Sequence, residues 1–514
     1  MATPVDNETD HSETGRTPSM LASLLVVAFM VGLIMLSVFL FGNEVAEGPL
    51  QVSMTLSTIF ALVVAYYYGF RGSVISEAIR SSVNGTLGTI LVLLAIGAII
   101  GTLYFSGTVA AFIYYGVEIL SPRFYYVMVF IIASTLSILL GSCFTTVGAV
   151  GVPFVGLAAI MGVSPAITAG AAISGAMLGD KTAKISDTAL LTVATVGGVT
   201  INDHARMVAR TAAPTVILSA LLYLALGLTG DAGGAASVDH AQIQSTISQY
   251  FNVSLLAFLS LILVFVLSAF GFSSFLCLML SAIAAVILAA FTQHDLIVSL
   301  AGDPSLNYFE AAMKVGIETL ANGFRLNSGN AQLDALFAGG GTVSMLNTVW
   351  LILVAASFGA VADYTGMLRR VITPVINWTR GPATLILTTV LTSIGLNSVA
   401  ADPYVSIVLT ARMFRDEYMK EHLKPVTLST SIADSGTIFS ANVPWNVNGA
   451  FFAGALGLST LAYAPYAFVV YLSPLITVVI GFLYFRKDRL PSGQDAAAVY
   501  GSEPAKLPKS TQLA

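Results

Sequence analysis

Charge is what this sequence has least of. Of its 514 residues 22 are Lys or Arg and 27 are Asp or Glu, so that 10% are charged while 56% are hydrophobic, against roughly a quarter charged in an ordinary soluble domain. Water is therefore not its main solvent. The net charge of −5 comes without a basic stripe, and no nucleic-acid partner is expected. Cysteine is nearly missing: Cys143 and Cys277 are isolated thiols in apolar surroundings, which give neither a disulfide framework nor a metal cluster. There is no His-Glu-x-x-His zinc motif. The context Gly-x-Gly-Asp of intramembrane aspartyl proteases also fails at Asp180, because position 177 is Met177. An enzyme is thus not expected. An Ala-x-Ala cleavage pattern is missing after the first apolar run, and the tail before it holds more acid than base, so Leu21 onward reads as a retained helix.

Apolar runs of helical length are what the chain has in quantity. They recur from Leu21 to Phe485, each near the roughly 20 residues that cross a hydrocarbon core. Backbone polar groups in lipid must be paired internally, which leaves helices or a closed β-barrel, and continuous apolar runs exclude the barrel's alternation. The 45 glycines suit close helix packing in lipid. Spans are expected near 21–41, 50–69, 86–105, 124–141, 144–161, 165–198, 212–229, 252–270, 272–291, 343–361, 384–411, 425–458 and 463–485. The fold class is an all-α polytopic membrane protein of about 11–13 transmembrane segments with inverted-topology repeats and interrupted helices or hairpins. Residues 1–20 and 486–514 read as polar tails, 21–485 as one transporter domain, and 252–291 as helices linking a first repeat (about 50–229) to a second (about 305–485).

Orientation follows from Lys and Arg in short loops. Arg71 and Arg80, Arg206 and Arg210, Arg369, Arg370 and Arg380, Arg412, Arg415, Lys420 and Lys424, and Arg486, Lys487 and Arg489 form basic clusters, whereas loops 43–49 and 230–250 hold none. With the clusters in the cytoplasm both termini lie there, provided that two segments are hairpins or interrupted helices.

Polar motifs recur between the halves. Gly141-Ser142-Cys143-Phe144-Thr145-Thr146 matches Leu396-Asn397-Ser398-Val399, and Leu178-Gly179-Asp180 matches Ser435-Gly436-Thr437, with offsets of 255 (397 less 142) and 257 (436 less 179). Gly-interrupted polar segments at matching places in two halves point to a transporter's central site. A channel also lines its pore with such segments, but an inverted repeat inside one chain suits alternating access.

Charges inside membrane segments cost several kcal/mol on insertion scales and need a partner or a purpose. Gly179 to Thr188 holds Asp180, Asp187, Lys181, Lys184 and the hydroxyls of Thr182, Ser186 and Thr188. A helix break at Gly179 exposes carbonyls beside the oxygens of Asp180, Ser186, Asp187 and Thr188, which is a hard-oxygen set suited to Na+. A carboxylate that holds either Na+ or a proton is the simplest exchanger. The competing reading is a surface loop held by a bridge such as Asp180 to Lys184. In the second half Gly436 and Pro444 bracket a stretch that cannot stay helical, bringing Asp434, Thr437 and Asn446 toward the same cavity; the competing reading is a capped turn. Ser142, Thr145 and Thr146 individually suit bonds to their own helix carbonyls, and Asp402, before Pro403, suits a helix cap as well as an ion path. Glu310, Lys314 and Glu318 recur every fourth residue and read as a paired ladder on one helix face.

With these residues in hand the chain resembles the NhaC family of sodium/proton antiporters. The resemblance rests on Gly179–Lys181 and Ser186–Thr188, Asp434–Thr437, Pro444–Asn446, the Gly-Gly-Gly-Thr-Val-Ser-Met run at 339–345 and the segment 406–414. It implies Na+/H+ exchange across the cell's inner membrane, with Na+ as the transported or coupling ion and no resident cofactor. Because the family includes carriers of organic acids and amino acids, a small organic anion or amino acid is the alternative cargo, in symport or exchange. One departure bears on it: where the family usually has a Ser-Pro pair, this chain has Ala183 and Lys184, and Lys181 and Lys184 are the candidates for pairing with such an anion. The remaining expected partners are the lipid bilayer and, in a homodimer, a second copy of the chain.

Overall fold

Apolar runs become helices wherever a cap or a breaker frames them. Ser19 opens the first: its hydroxyl accepts from the Ala22 N–H at 3.2 Å, which satisfies one of the free donors of the first turn. Helix α1 (Met20–Phe41) follows, with only 22% of its apolar window buried, the balance of a helix that faces lipid. The computed structural model describes residues 15–229, 240–330, 333–334, 337–376, 379, 381–484, 489–491 and 495–501; the expected tails at 1–14 and 502–514 and the basic pair Arg486 and Lys487 lie outside these. Among the described residues nine helices are long and apolar enough to cross a membrane, or eleven if each of two sharply bent pairs is one span. The only strands there are two-residue ones, Phe324–Arg325 antiparallel to Ala338–Gly339. The chain is an all-α, multi-pass membrane protein.

After α1 come α2 (Pro49–Tyr67), α3 (Gly72–Phe105), α4 (Thr108–Ile119), α5 (Tyr125–Leu140), α6 (Cys143–Ile160), α7 (Pro165–Thr182), α8 (Asp187–Val196) and α9 (Ile201–Thr229). The second half holds α10 (Thr342–Tyr364), α11 (Met367–Ile376), α12 (Pro382–Ala400), α13 (Pro403–Lys420), α14 (Pro425–Ile432, continued by a π turn over Ala433–Thr437), α15 (Val447–Leu456), α16 (Phe468–Tyr484) and α17 (Ala496–Tyr500). Three expected spans are divided: 165–198 at residues 183–186, 384–411 at Ala401 and Asp402, and 425–458 at residues 443–446. Helices α4 and α11 are additions, too short for an apolar window of spanning length.

The series α3–α9 and α10–α16 match member by member. Pro122 and Pro382 lie just ahead of or at the start of α5 and α12, Gly141 (φ 65°) and Ala401 (φ 58°) end those helices, and Ser142 and Asp402 cap α6 and α13. Pro165 and Pro425 open α7 and α14, Ser186 and Asn446 precede α8 and α15, and Pro214 and Pro474 sit inside α9 and α16. Every pair is 260 residues apart (402 less 142). The offsets of 255 and 257 read from polar motifs are thus corrected: Ser142 corresponds to Asp402 rather than Asn397, and Gly179 does not correspond to Gly436. Short polar motifs match by composition, whereas caps, prolines and left-handed residues mark where the backbone turns.

Gly179 does not break its helix; α7 runs on to Thr182. Its missing side chain serves packing, since a Cβ there would stand 2.3 Å from Ser137 Cβ on α5, and one at Gly175 would stand 2.6 Å from Phe130 O. Gly436 likewise has no room for a Cβ, which would meet Ser393 Oγ at 2.2 Å. The Glu310–Lys314–Glu318 ladder is also corrected: Glu310 closes a capping box with Asn307, and Lys314 Nζ donates to Ala301 O at 3.1 Å. The caps and carbonyls at hand outcompete exposed i,i+4 pairs, which are worth only a few tenths of a kcal/mol.

The polar C-terminal tail is docked over 495–501. Tyr500 is buried, its hydroxyl donates to Leu423 O at 3.0 Å, and the guanidinium of buried Arg415 on α13 donates to Tyr500 O at 2.9 Å and Gly501 O at 2.8 Å. Val499 O lies where a Cβ on Gly198 would be, 2.2 Å away. The fragment therefore fastens the end of α8 to the middle of α13. Replacing Tyr500→Ala is expected to cost about 3–5 kcal/mol, the range for emptying a buried aromatic site, and Tyr500→Phe about 1 kcal/mol for one hydrogen bond. Thermal unfolding in detergent checks the order; an Ala variant melting with the wild type would contradict the docking.

Candidate functional site

Four helix beginnings meet at one small cavity of about 30 Å³. Ser142 and Cys143 bring the start of α6, Asp187 and Thr188 that of α8, Pro403 and Tyr404 that of α13, and Asn448 that of α15; Gly141 and Asp180 add the ends of α5 and α7. Three of these beginnings are capped by side chains: after Gly141 turns into the left-handed region Ser142 accepts from the Thr145 N–H at 3.3 Å, Asp402 accepts from the Tyr404 and Val405 N–H groups at 2.7 and 3.1 Å, and Asn446 accepts from the Asn448 N–H at 3.1 Å, whereas Ser186 before α8 makes no cap bond. The tip between α12 and α13 is tied to α15 by the Val447 N–H, which donates to Ala401 O at 3.0 Å. In the register of 260, Thr188 and Asn448 are equivalent positions, so the cavity is lined by both series.

Asp180 is the buried acid of this cavity. Ser186 Oγ donates to its Oδ1 at 3.0 Å and Thr188 Oγ1 to its Oδ2 at 3.2 Å, while the two hydroxyls lie 2.9 Å apart. The Cys143 amide lies within electrostatic reach of the same carboxylate. Asp187, two residues into the same loop-to-helix turn, is exposed and lines the cavity from its mouth. The expected bridge from Asp180 to Lys184 is not present among the described ion pairs, and Lys184 is exposed and does not line the cavity.

Lys181 follows Asp180 by one residue, about 100° round the helix, and so turns away from the cavity. Its ammonium is 1% exposed and donates to Asp434 Oδ1 at 2.7 Å and Ser473 Oγ at 2.6 Å. Asp434 is 0% exposed and also accepts from Ser473 Oγ at 3.2 Å and Thr477 Oγ1 at 2.6 Å. Every oxygen of this carboxylate is thereby occupied. Asp434 is part of a cross-series ion pair rather than of the Asp180 cavity, and Lys181 is not available to an anion there.

Asn397, Gly436 and Asn446 form a third group. The Asn397 amide donates to Gly436 O; the Asn446 amide donates to Asn397 O at 3.0 Å and to Asn397 Oδ1. Asn446 Oδ1 in turn accepts from the Asn448 N–H at 3.1 Å, and Asn448 Nδ2 donates to Ser440 Oγ at 2.6 Å. The break expected between Gly436 and Pro444 falls at 443–446, and the amides hold it; Asn397 and Asn446 thus stand behind the cavity wall. Thr145 donates to Ser142 Oγ at 3.1 Å. Thr437 Oγ1 is buried without a partner and does not line the cavity. Of the expected residues, Ser142, Asp180, Asp187 and Thr188 share the cavity and Ser186 bonds into it. Cys143, Tyr404 and Asn448 were not expected to line it, nor Ser473 and Thr477 to hold Asp434. A repeat register taken from the prolines and caps, which pairs Asn448 with Thr188, would have found the first group.

A model of the Na+/H+ antiporter family matches residues 190–485. The chain is 30% identical over 461 residues to the Na+/H+ antiporter NhaC of Alkalihalophilus pseudofirmus, covering 90% of this chain and 95% of that one. The chain belongs to the Na+/H+ antiporter family. Its similarity within and around that family extends to the arginine/ornithine antiporter ArcD of Halobacterium salinarum, 29% identical over 94% of this chain and 96% of the other. It extends also to the malate-2H+/Na+-lactate antiporter of Bacillus subtilis, 26% identical over 92% and 97%. Family membership makes this multi-pass membrane protein a transporter.

Proposed function

We propose that the protein exchanges Na+ for H+ across the cytoplasmic membrane, using the Asp180 cavity as the shared site. The observation that carries the reading is a cavity of about 30 Å³ lined by two carboxylates, hydroxyls and an amide, with no ammonium or guanidinium among its lining residues. That is room for a bare ion or a water, and its donor set is hard oxygen. Na+ entering from one side takes the Asp180 carboxylate with the hydroxyls of Ser186, Thr188 and Ser142; a proton on the same carboxylate removes the charge that holds the ion. Asp187 at the mouth raises the local Na+ concentration. Alternation follows from moving one helix series against the other, with the two series crossing the membrane in opposite senses and both termini in the cytoplasm.

A second reading has one observation in its favour. Four helix N-termini face the cavity, and their partial positive charge favours an anionic group, which a carboxylate-bearing solute could supply when the cavity widens. In the first reading Asp180 and Asp187 are themselves that negative charge. Purified protein in proteoliposomes, given a Na+ jump with no organic solute present, is expected to move protons saturably. Proton movement that appears only with an added organic or amino acid would replace the first reading by the second.

A further inference from the structure

A crevice of about 690 Å³ that shares no lining residue with the cation cavity opens between α10 and α11 on one side and the α12–α13 hairpin on the other. Its rim carries Arg369, Arg370 and Arg412, all exposed, and among the described residues none of the three guanidinium groups has a hydrogen bond or ion pair. Asp363 is the one carboxylate among its lining residues. The apolar surface open inside it is that of Tyr364, Leu409 and Met413, with buried Phe70 and Leu396 beneath. Helix α11 explains the division: Met367, Leu368 and Ile372 are buried, which leaves Arg369, Arg370 and Thr373 on the opposite face, the layout of a helix lying in a membrane interface.

We propose that this crevice binds the head group of an anionic phospholipid, with the phosphate against Arg369, Arg370 and Arg412 and an acyl chain along Tyr364, Leu409 and Met413. Charge complementarity selects the occupant's head: three cations facing one carboxylate leave a net positive rim, and guanidinium forks match phosphate oxygens. The apolar floor selects a lipid over a free anion, because a soluble phosphate gains nothing from it. Basic pockets between membrane helices on the cytoplasmic side take anionic head groups by the same forces. The bound lipid sits against α13 at Leu409, Arg412 and Met413, so it touches the hairpin whose tip lines the cation cavity.

The test uses the full chain in nanodiscs of phosphatidylcholine alone or with phosphatidylglycerol, with tightly held lipid counted by native mass spectrometry. Wild-type protein is expected to retain phosphatidylglycerol in preference to phosphatidylcholine. Removal of each guanidinium should weaken retention roughly fivefold, and the triple change Arg369→Gln, Arg370→Gln, Arg412→Gln on the order of a hundredfold. The triple variant should melt with the wild type in pure phosphatidylcholine, and Arg80→Gln, an exposed arginine away from the crevice, should retain lipid as wild type does. Equal retention by the triple variant would overturn the site and leave the arginines as topology signals. Inorganic phosphate displacing the lipid at millimolar concentration, or stabilising the protein equally well, would overturn the lipid assignment in favour of a free-anion site.

Discussion

Asp180→Asn abolishes Na+-driven proton movement and leaves the protein folded in the membrane. The amide keeps the shape and can still bond Ser186 and Thr188, but it removes both the ion's charge partner and the proton's seat. A unit-charge attraction at ~4 Å and an effective dielectric constant of ~20 is worth about 4 kcal/mol, which is roughly three decades of Na+ affinity. Asp187→Asn is expected to fall much less, about tenfold, because that carboxylate is exposed at the mouth and its field is screened by water and salt. Proton flux in proteoliposomes after a Na+ jump gives both numbers. Equal loss in the two variants would move the ion site outward to the mouth; wild-type flux in Asp180→Asn would remove it from this cavity.

The second large effect lies at the cross-series ion pair. Lys181→Met leaves Asp434 buried with only hydroxyl donors, and Asp434→Asn leaves Lys181 buried with a neutral amide and Ser473. Each single change is expected to destabilise the protein by about 3–5 kcal/mol, the usual cost of orphaning one member of a buried pair. The double change Lys181→Met with Asp434→Asn should recover much of this, because no unpaired charge remains. Thermal unfolding of the three variants in one detergent checks the non-additivity. Were Asp434 instead a ligand of the transported cation, Asp434→Asn would keep wild-type stability and lose Na+ affinity, and the double variant would not recover.

The legible parts of this protein were those carried by local chemistry. Apolar runs of spanning length gave the helices, and the breaks near Asp180 and Pro444 were visible because polar residues crowd there without apolar periodicity. The glycines chosen as breakers were the wrong ones: Gly179 and Gly436 are close-approach sites, and whether a glycine bends a helix or admits a neighbour depends on the neighbour. The same limit explains Lys181 and Asp434, 253 residues apart. Nothing local to either shows that an ammonium meets a carboxylate across the two series, so Asp434 read as an ion ligand and Lys181 as an anion's partner. Tyr404 and Asn448 were missed because neither stands out in its own segment; each matters through the helix beginning it occupies. The docked tail escaped for a related reason, since Tyr500 is one aromatic in a polar stretch and gains its meaning only from Arg415 and Gly198.

Proton release on Na+ binding is the measurement closest to the central claim. Detergent-solubilised protein in weak buffer with a pH indicator is titrated with Na+, and with K+ as the ionic-strength control. Wild-type protein is predicted to release protons saturably with Na+, with a Na+ affinity that weakens as pH falls, and Asp180→Asn to release none. Na+ binding that leaves the proton count unchanged, or release from Asp180→Asn equal to that of the wild type, would contradict a carboxylate shared between the two ions.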